Sequence, residues 1–580
     1  WGIDTNVGKG FNRITGHGAF LPPTNESEDW ENANTIIVWG SDIFSSQFQM
    51  DASKVLDAIE NGAKLVVVDP VYTTTAAKAD LWLPVKPGKD VYLILAMMHT
   101  VFEEETYDTD FLRTRTTAPA LVRTDTGELL RAADVSVDGS DDQVVAIEAG
   151  TGDPVALEPE TEGSYELFGE YTVDGIDCET SLTKVRDHAA DYAPEAVAEK
   201  TGVDVENIRT AARWLATRGP GGIASSYAIG RYTYGHIFGQ AYAIMLAMTG
   251  DYGRHGNIHA HHPAGTTLAA GDWAAPADAD PGPSLIFPEY PDAMIDGDPH
   301  EIRAVYSIES NMMGNQFPDR QRYRKAIENL EMYVVADMHH TDTVQQADIV
   351  LPVPHWFEQE DITSGWGSHP HLGYRHKVQE PLWETRDDYE AVRGLAERLG
   401  FGDRFPETKR GMLRELVSRD DAIDFETLRE QGTQRKETTP VVKYTDEFPT
   451  ETGRIEVYDD DAPSEEGVSF ELPQPLEDRT AEDHEKAEEY PLMFMQKHSR
   501  FRIHSQYEMV NWSREINPEP QLDIHPRDAK ARGIDDGEYV RVYNDRGEMV
   551  VKAKYNEAFQ PGLVNTDQGW WARDFVEGHL

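Results

Sequence analysis

A single cysteine, Cys178, in 580 residues leaves no partner for an internal disulfide and too few thiolates for an iron–sulfur cluster held on four of them. We read it as structural. Basic residues are also scarce: 53 Lys plus Arg stand against 104 Asp plus Glu, a formal net charge of −51. A phosphate backbone needs clustered cations, so nucleic acid is not the expected partner. No apolar run reaches the roughly 18 to 20 residues of a membrane span, and no charged stretch followed by an apolar one opens the chain as an export signal would. The first residue is Trp1 and not Met, from which we expect an N-terminal part, with any signal or metal cluster, to be missing.

What is present is enough to fold. Hydrophobic residues make up 39% and 46 glycines add to them, which excludes disorder for most of the chain, and the length predicts roughly three to five domains. The acidic excess is spread throughout. Such a surface suits high salt, where screening removes self-repulsion, and the expectation is a halophilic protein.

Apolar, β-branched runs at Thr35 to Trp39, Lys64 to Val68, Tyr333 to Ala336 and Ile349 to Leu351 predict buried strands. A helical segment from Ala52 to Asn61, stopped by Gly62, joins the first two into a βαβ unit with a parallel sheet. The chain then repeats itself. DPVYTTTAAKADLWLP (Asp69 to Pro84) aligns without gaps on DMHHTDTVQQADIVLP (Asp337 to Pro352), and WGSDIFSSQ precedes the first copy as IESNMMGNQ precedes the second. Two related nucleotide-fold halves follow. Ligands of open α/β sheets sit at the carboxyl ends of strands, where Asp69 and Asp337 fall and where an acid can hold a ribose or base edge. Neither half has a GxGxxG turn, so an ordinary NAD or FAD site is not indicated.

From about 100 to 190 the chain turns rich in Asp, Glu, Thr and Gly, and we read a surface insertion. Val205 to Arg218 and Gly239 to Thr249 are predicted helices, and SSYAIGRYTYGH (Ser225 to His236) between them reads as an interface or a binding surface. Residues 405–488 have acidic runs and few periodicities, and read as a connecting region. After Pro491 short strands separated by turn signals predict a compact barrel.

These motifs, with WGSDI, VVVDPVYTTTAAKADLWLPVKPGKD, VVADMHHTDTVQQADIVLPVPHWFEQED and HSRFRIHSQ…LDIHPRDAKARGIDDGEYVRVYNDRGE…GWW in that order, resemble the catalytic subunit of the molybdopterin oxidoreductases, the dimethyl sulfoxide reductase family. The likeness spans most of the chain outside the insertion and the 405–488 region. It implies an α/β fold with a first nucleotide-binding domain over 1–300, a second over 301–404, the connecting region over 405–488, and a C-terminal pterin-dinucleotide-binding β-barrel, of double-psi type, over 489–580. It also implies molybdenum or tungsten on two pterin guanine dinucleotides, with a [4Fe-4S] cluster in a preceding N-terminal domain.

Carried over residue by residue, the resemblance places cofactor contacts on Trp39, Gly40, Ser41, Asp69, Thr75, Lys86, Gly88 and Asp90. In the second half it places them on Ser310, Asn311, Gln316, Asp337, His339, Thr341 and Asp361. In the barrel they fall on His498, Ser499, Arg500, Arg502, His504, Ser505, Asn565 and Gln568. Arg and Ser suit pyrophosphate and pterin oxygens, and a carboxylate suits the N1 and N2 protons of guanine. Tyr227, Arg231, Tyr232 and His236 are candidates for the substrate funnel. The protein ligand to the metal is expected upstream of Trp1, so these residues alone are expected to be inactive.

The implied activity is terminal reduction of an S-oxide or N-oxide, of dimethyl sulfoxide or trimethylamine N-oxide type. Oxyanion (nitrate, chlorate, selenate) reduction, dimethyl sulfide dehydrogenation, a formate-type dehydrogenase and a metal-free structural subunit of an electron-transfer complex are the alternatives. Implied partners are an iron–sulfur electron-transfer protein and a membrane anchor. The implied location is the outer face of the cytoplasmic membrane after twin-Arg export, with the cytoplasm as the alternative.

Overall fold

A computed structural model describes residues 3–18, 21–46, 51–159, 164–232, 234–260, 268, 285–316, 319–465, 468–476 and 485–577, apart from 365–368. Strands β1 (Thr35–Trp39), β2 (Lys64–Val68), β3 (Leu81–Leu83) and β4 (Gly221–Ser225) form a parallel sheet in the order β3-β2-β1-β4. Helices α1 (Asn6–Thr15), α2 (Asp51–Glu60), α3 (Asp90–Glu103), α4 (Val205–Thr217) and α5 (Gly235–Thr249) surround it. Side chains alternate along a strand, and the pattern decides which core each enters. Ile37, Trp39, Val66 and Val68 join α3, α4 and α5, whereas Ile36, Val38, Leu65 and Val67 join α2 and Trp30. Both faces are buried, which is why β1 and β2 read as continuous apolar runs. Helices α1 and α5 cross in backbone contact: a Cβ on Gly10 would meet the His236 carbonyl oxygen at 1.8 Å, and one on Gly239 would meet that of Val7 at 2.0 Å.

The second half repeats the plan with β5 (Ala304–Ile308), β6 (Met332–Asp337) and β7 (Ile349–Pro352), again parallel, with α6 (Arg320–Glu328) between β5 and β6. The likeness extends to single hydrogen bonds. Thr75 Oγ1 donates to Asp42 (2.7 Å) and accepts from the Phe44 amide (3.1 Å), just as Thr343 Oγ1 donates to Asn311 (2.7 Å) and accepts from the Met313 amide (3.0 Å). Asp80 accepts from the Leu65 amide and Asp348 from the Tyr333 amide. The turn after the first strand has positive φ in both halves, at Gly40 (66°) and at Glu309 (51°). Glycine takes that conformation freely; glutamate is strained there by about 1 kcal/mol.

The insertion is shorter than expected. Helix α3 and the helix Thr109–Arg115 bury Leu95, Val101, Phe111 and Leu112 in the main core, and the irregular β-rich part begins only near Thr116. It has apolar clusters of its own, one of which encloses Cys178, whose thiol burial pushes up to about 11.

Residues 405–488 are more than a connection. Two helices, Lys409–Val417 and Phe425–Gln431, cover an antiparallel sheet of β8 (Asp361–Ser364), β9 (His371–Arg375) and β10 (Thr433–Arg435). Tyr444, Phe448, Ile455 and Val457 complete the core of the first half. Fully buried Arg454 ties this return to the insertion and the helix before it, through the carbonyls of Glu158 (2.6 Å), Thr116 (3.0 Å) and Arg113 (2.9 Å). Single residues plugging distant gaps leave no periodicity in the sequence.

The C-terminal part is a curled five-stranded mixed sheet, β11 (Met493–Met495), β12 (Gln521–Ile524), β13 (Tyr539–Tyr543), β14 (Glu548–Tyr555) and β15 (Leu563–Asn565), in the order β11-β15-β12-β14-β13. It bridges the halves. Gln560 donates to the carbonyls of Pro70 and Pro84 in the first half (3.0 Å each), and Asn311 of the second donates to Ser505 (3.1 Å). No helix among the described residues is long and apolar enough to cross a membrane.

Candidate functional site

The carboxyl ends of the second-half strands and the inner face of the C-terminal part wall a cleft of about 2620 Å³. Lys86, Lys89 and Arg231 reach it from the first half, Ser310, Asn311, Gln316, Asp337, His339 and Thr341 from the second, and His504, Ser505 and Gln568 from the C-terminal part. Residues far apart in sequence are thus assembled around one space. Asp337 stands at the end of β6, held by the His339 amide (2.9 Å) and more loosely by Thr341 Oγ1 (3.4 Å), so carboxylate lone pairs remain for a ligand. Ser310 donates to Gln316 beside it.

The other candidates stand elsewhere. Trp39 is fully buried, its ring against Phe238 and its Nε1 donating to Asp90 (2.8 Å), so it is a core residue and not a wall of the cleft. Thr75 is fully buried and committed to Asp42 and Phe44; Gly40 donates to the Val68 carbonyl (2.9 Å), and Ser41 and Gly88 lie at the same strand-end edge outside the cleft wall. Asn565 is also fully buried, and its amide satisfies Asp523 (3.0 Å), Asp567 (3.2 Å) and the Lys497 backbone (3.0 Å). Asp361 pairs with Lys409 (3.2 Å) and Arg375 (3.4 Å). Ser499 accepts from the Phe501 amide (3.2 Å), and Arg500 is exposed outside the cleft wall.

Of the funnel candidates, Arg231 lines the cleft and pairs with Asp4 (2.8 Å). Tyr232 is sunk beside Gly88, Asp90 and Asp69, and burial raises its hydroxyl pKa. Tyr227 lies close to Asp4 and Arg231, its pKa likewise raised by burial. His236 packs edge-on against Phe470 (5.3 Å) and is not part of the cleft wall. The segment Ser225 to His236 is partly helical, over Tyr227–Gly230 and from Gly235.

His498 and His504 stand edge to face (4.9 Å), and Gln568 Nε2 lies 2.8 Å from one Nδ1 and 3.3 Å from the other. Burial, then the His504 ring and Arg231, hold His498 down to about 4. Burial lowers His504 as well. Both rings are therefore neutral near pH 7, and with each Nδ1 accepting from the Gln568 amide each Nε2 carries the proton and is a donor; His504 lines the cleft.

Asp69 behaves differently from Asp337. Burial, with Asp42 and Asp90 adding, pushes it up to about 7 against the opposing Val71 amide; burial pushes Asp90 to about 6 against the Trp39 hydrogen bond. A folded-state pKa above the unfolded value near 4 contributes stability that is complete below pH ~4 and is lost as pH rises through ~7. Replacing Asp69 by Asn is therefore expected to stabilise the ligand-free chain relative to its parent increasingly over that window. The gain should be up to roughly 1.4 kcal/mol per pH unit, read from thermal midpoints at graded pH. A difference that does not change with pH would refute the assignment.

The clearest unmet hydrogen-bonding capacity is at Arg502 and its neighbours. Arg502 is 4% exposed, its guanidinium lies 3.3 Å from the Trp570 ring centroid, and Nη2 donates to the Asn517 carbonyl (3.2 Å). Its Nε and Nη1 have no acceptor among the described residues, and Trp570 Nε1 and Thr566 Oγ1 also lack partners there. Trp570 and Thr566 face the cleft, whereas Arg502, stacked on Trp570, is not part of its wall. Buried donors left unpaired cost about 1–3 kcal/mol each, more for a cation, and a group rich in carbonyl and phosphoryl oxygens would satisfy them.

Residues 16–398 match the molybdopterin oxidoreductase family, and residues 492–578 match the "Molydopterin dinucleotide binding domain". The chain belongs to the molybdopterin oxidoreductase family. It is 59% identical, over its whole length and 70% of the relative's, to a Halobacterium salinarum protein named as the catalytic component of a dimethyl sulfoxide reductase. It is 25% identical to the perchlorate reductase alpha component of Dechloromonas aromatica, over 93% of this chain and 70% of that one. Among solved structures, the acetylene hydratase of Pelobacter acetylenicus superposes with a TM-score of 0.73 at 20% identity, covering 98% of this chain and 74% of that one, which is likeness of fold.

Membership makes the chain part of a molybdopterin-dependent oxidoreductase, and the haloarchaeal relative fits the acidic composition. Arg502, Trp570 and Thr566 would hold the cofactor's polar atoms, with Asp337, Ser310 and Gln316 at one nucleotide end. Asp42, Thr343, Thr566 and Trp570 were not singled out as site residues in the sequence. Asp42 lies inside the quoted WGSDIFSSQ and Thr343 inside DMHHTDTVQQADIVLP, and both are engaged within the protein, with Thr75 and Asn311; Trp570 sits inside the quoted GWW.

Proposed function

We propose that this chain is the catalytic component of a terminal reductase that removes the oxygen of an S-oxide or N-oxide, with two pterin guanine dinucleotides, one per nucleotide-fold half. The observation that carries the substrate class is the 59% identity over the entire chain to the haloarchaeal protein named for dimethyl sulfoxide reduction. The twin strand-end acids Asp69 and Asp337 support two nucleotides. The metal, when bound, supplies two-electron oxygen-atom transfer: the oxide accepts two electrons and two protons and leaves as sulfide or amine plus water. The residues of this chain bind and orient. Thr566 and Trp570, with Arg502 stacked on the Trp570 ring, would donate to oxygens of the pterin, Lys86 and Lys89 bring positive charge to the first-half side, and Arg231, fixed by Asp4, offers a donor to the oxide oxygen.

Electrons arrive from an iron–sulfur partner protein bound to a membrane anchor, on the outer face of the cytoplasmic membrane. Any [4Fe-4S] cluster on that path is held by residues other than these 580, which contain one cysteine. The test is the purified holoenzyme with reduced viologen as electron donor. Turnover of dimethyl sulfoxide and trimethylamine N-oxide, with two GMP per chain on acid hydrolysis, is expected. Preferred turnover of chlorate or nitrate would move the enzyme to the oxyanion reductases, and absence of GMP would overturn the cofactor assignment.

A further inference from the structure

The internal repeat runs beyond the segment that reveals it. Leu83, Pro84 and Val85 match Leu351, Pro352 and Val353, and buried Asp90 matches buried Glu358. Between these anchors the halves diverge: Lys86, Pro87, Gly88 and Lys89 stand where the second half has Pro354, His355, Trp356 and Phe357. Lys86, Lys89 and Trp356 all line the cleft.

Trp356 is built for stacking. Its ring lies parallel to that of Phe357 (6°, centroids 5.3 Å apart), while His355 meets it edge-on at 5.5 Å. A short turn, Trp356–Glu358, fixes this arrangement, because Glu358 accepts from the His355 amide (2.8 Å) and the Phe357 amide donates to His355 Nδ1 (3.2 Å). Trp356 nevertheless remains 43% exposed, so one indole face is available. The turn follows β7, whose last residue, Pro352, is the register partner of Asp337, and the Val353 amide reaches the Asp337 carbonyl (3.4 Å). An aromatic face and a strand-end carboxylate with free lone pairs therefore share one corner of the cleft.

We propose that Trp356 is the stacking platform for the purine base of the nucleotide held by the second half, so that the two halves grip their nucleotides differently: cations at the first, an aromatic face at the second. This rests on the reading of two guanine nucleotides given above. Stacking accepts any base, and Asp337 adds the choice of guanine through its N1–H and N2–H donors. The two grips differ in their response to salt. Screening weakens the lysine-lined site and leaves the stacked base nearly untouched.

The experiment titrates GMP into the cofactor-free full chain by calorimetry at two KCl concentrations, both high enough to keep it folded by circular dichroism. The parent is expected to bind GMP at two sites, one weakened by salt and one not. Trp356→Ala should weaken the salt-insensitive site about tenfold or more, Trp356→Phe should restore most of it, and Lys86→Ala should affect only the other site. Two unaltered sites in folded Trp356→Ala would overturn the stacking role while leaving the two-nucleotide reading intact. A folded parent that binds no GMP would overturn that reading and the stacking role with it.

Discussion

Asp337→Ala in the holoenzyme is expected to lower retained cofactor by about two orders of magnitude in affinity, read as molybdenum and acid-released GMP per chain after gel filtration. A carboxylate accepting two guanine N–H donors makes charge-assisted hydrogen bonds, each contributing about 1.5–3 kcal/mol. The side chain has little else to do in the fold, where it restrains the His339 amide and, loosely, Thr341. Asp348→Ala is the control. That carboxylate bonds the Tyr333 amide (2.7 Å) at the opposite end of the same strand, so its loss should lower the melting midpoint and leave the cofactor content of folded protein unchanged. Unchanged molybdenum and GMP in Asp337→Ala would remove this residue from the site.

Lowering the salt is expected to unfold the whole chain. With a net charge of −51, acidic groups such as Asp138, Asp141 and Asp142 in the insertion, and Asp535, Asp536 and Glu538 in the C-terminal part, sit exposed on short stretches of surface. The screening length is about 3 Å in 1 M salt and about 30 Å at 0.01 M, so repulsion confined to nearest neighbours in the first case sums across a domain in the second. A far-ultraviolet circular dichroism midpoint that falls steeply with dilution of KCl is the expected result. A chain that keeps its full midpoint at low ionic strength would show that the acidic surface has another purpose.

Twelve tryptophans are present, and Trp39 and Trp356 show how unequally such residues can be read. Both lie in quoted motifs near strand ends. Trp39 points into the core between the sheet and α5, because the alternation along β1 sends it to the same face as Ile37. Trp356 follows its strand by a few residues and turns outward into the cleft. Likewise Asn565 and Thr75 are polar residues in cofactor-like motifs whose hydrogen bonds are all made within the protein, whereas Arg502 has donors left over. Motif membership alone does not separate these cases; the count of satisfied donors and acceptors does.

The two halves, the parallel strands, the strand-end acids and the acidic surface are legible in the linear chain, since each rests on local composition or on a repeat that survives in linear order. Folding in three dimensions is what brings Tyr444, Phe448, Ile455 and Val457 into the core of the first half, starts the insertion near Thr116, and makes Arg231 the funnel candidate that both lines the cleft and pairs with Asp4. Those outcomes depend on contacts between segments hundreds of residues apart, such as Arg454 with Arg113 and Asn311 with Ser505. Such contacts satisfy single buried groups one at a time and so leave no period along the chain.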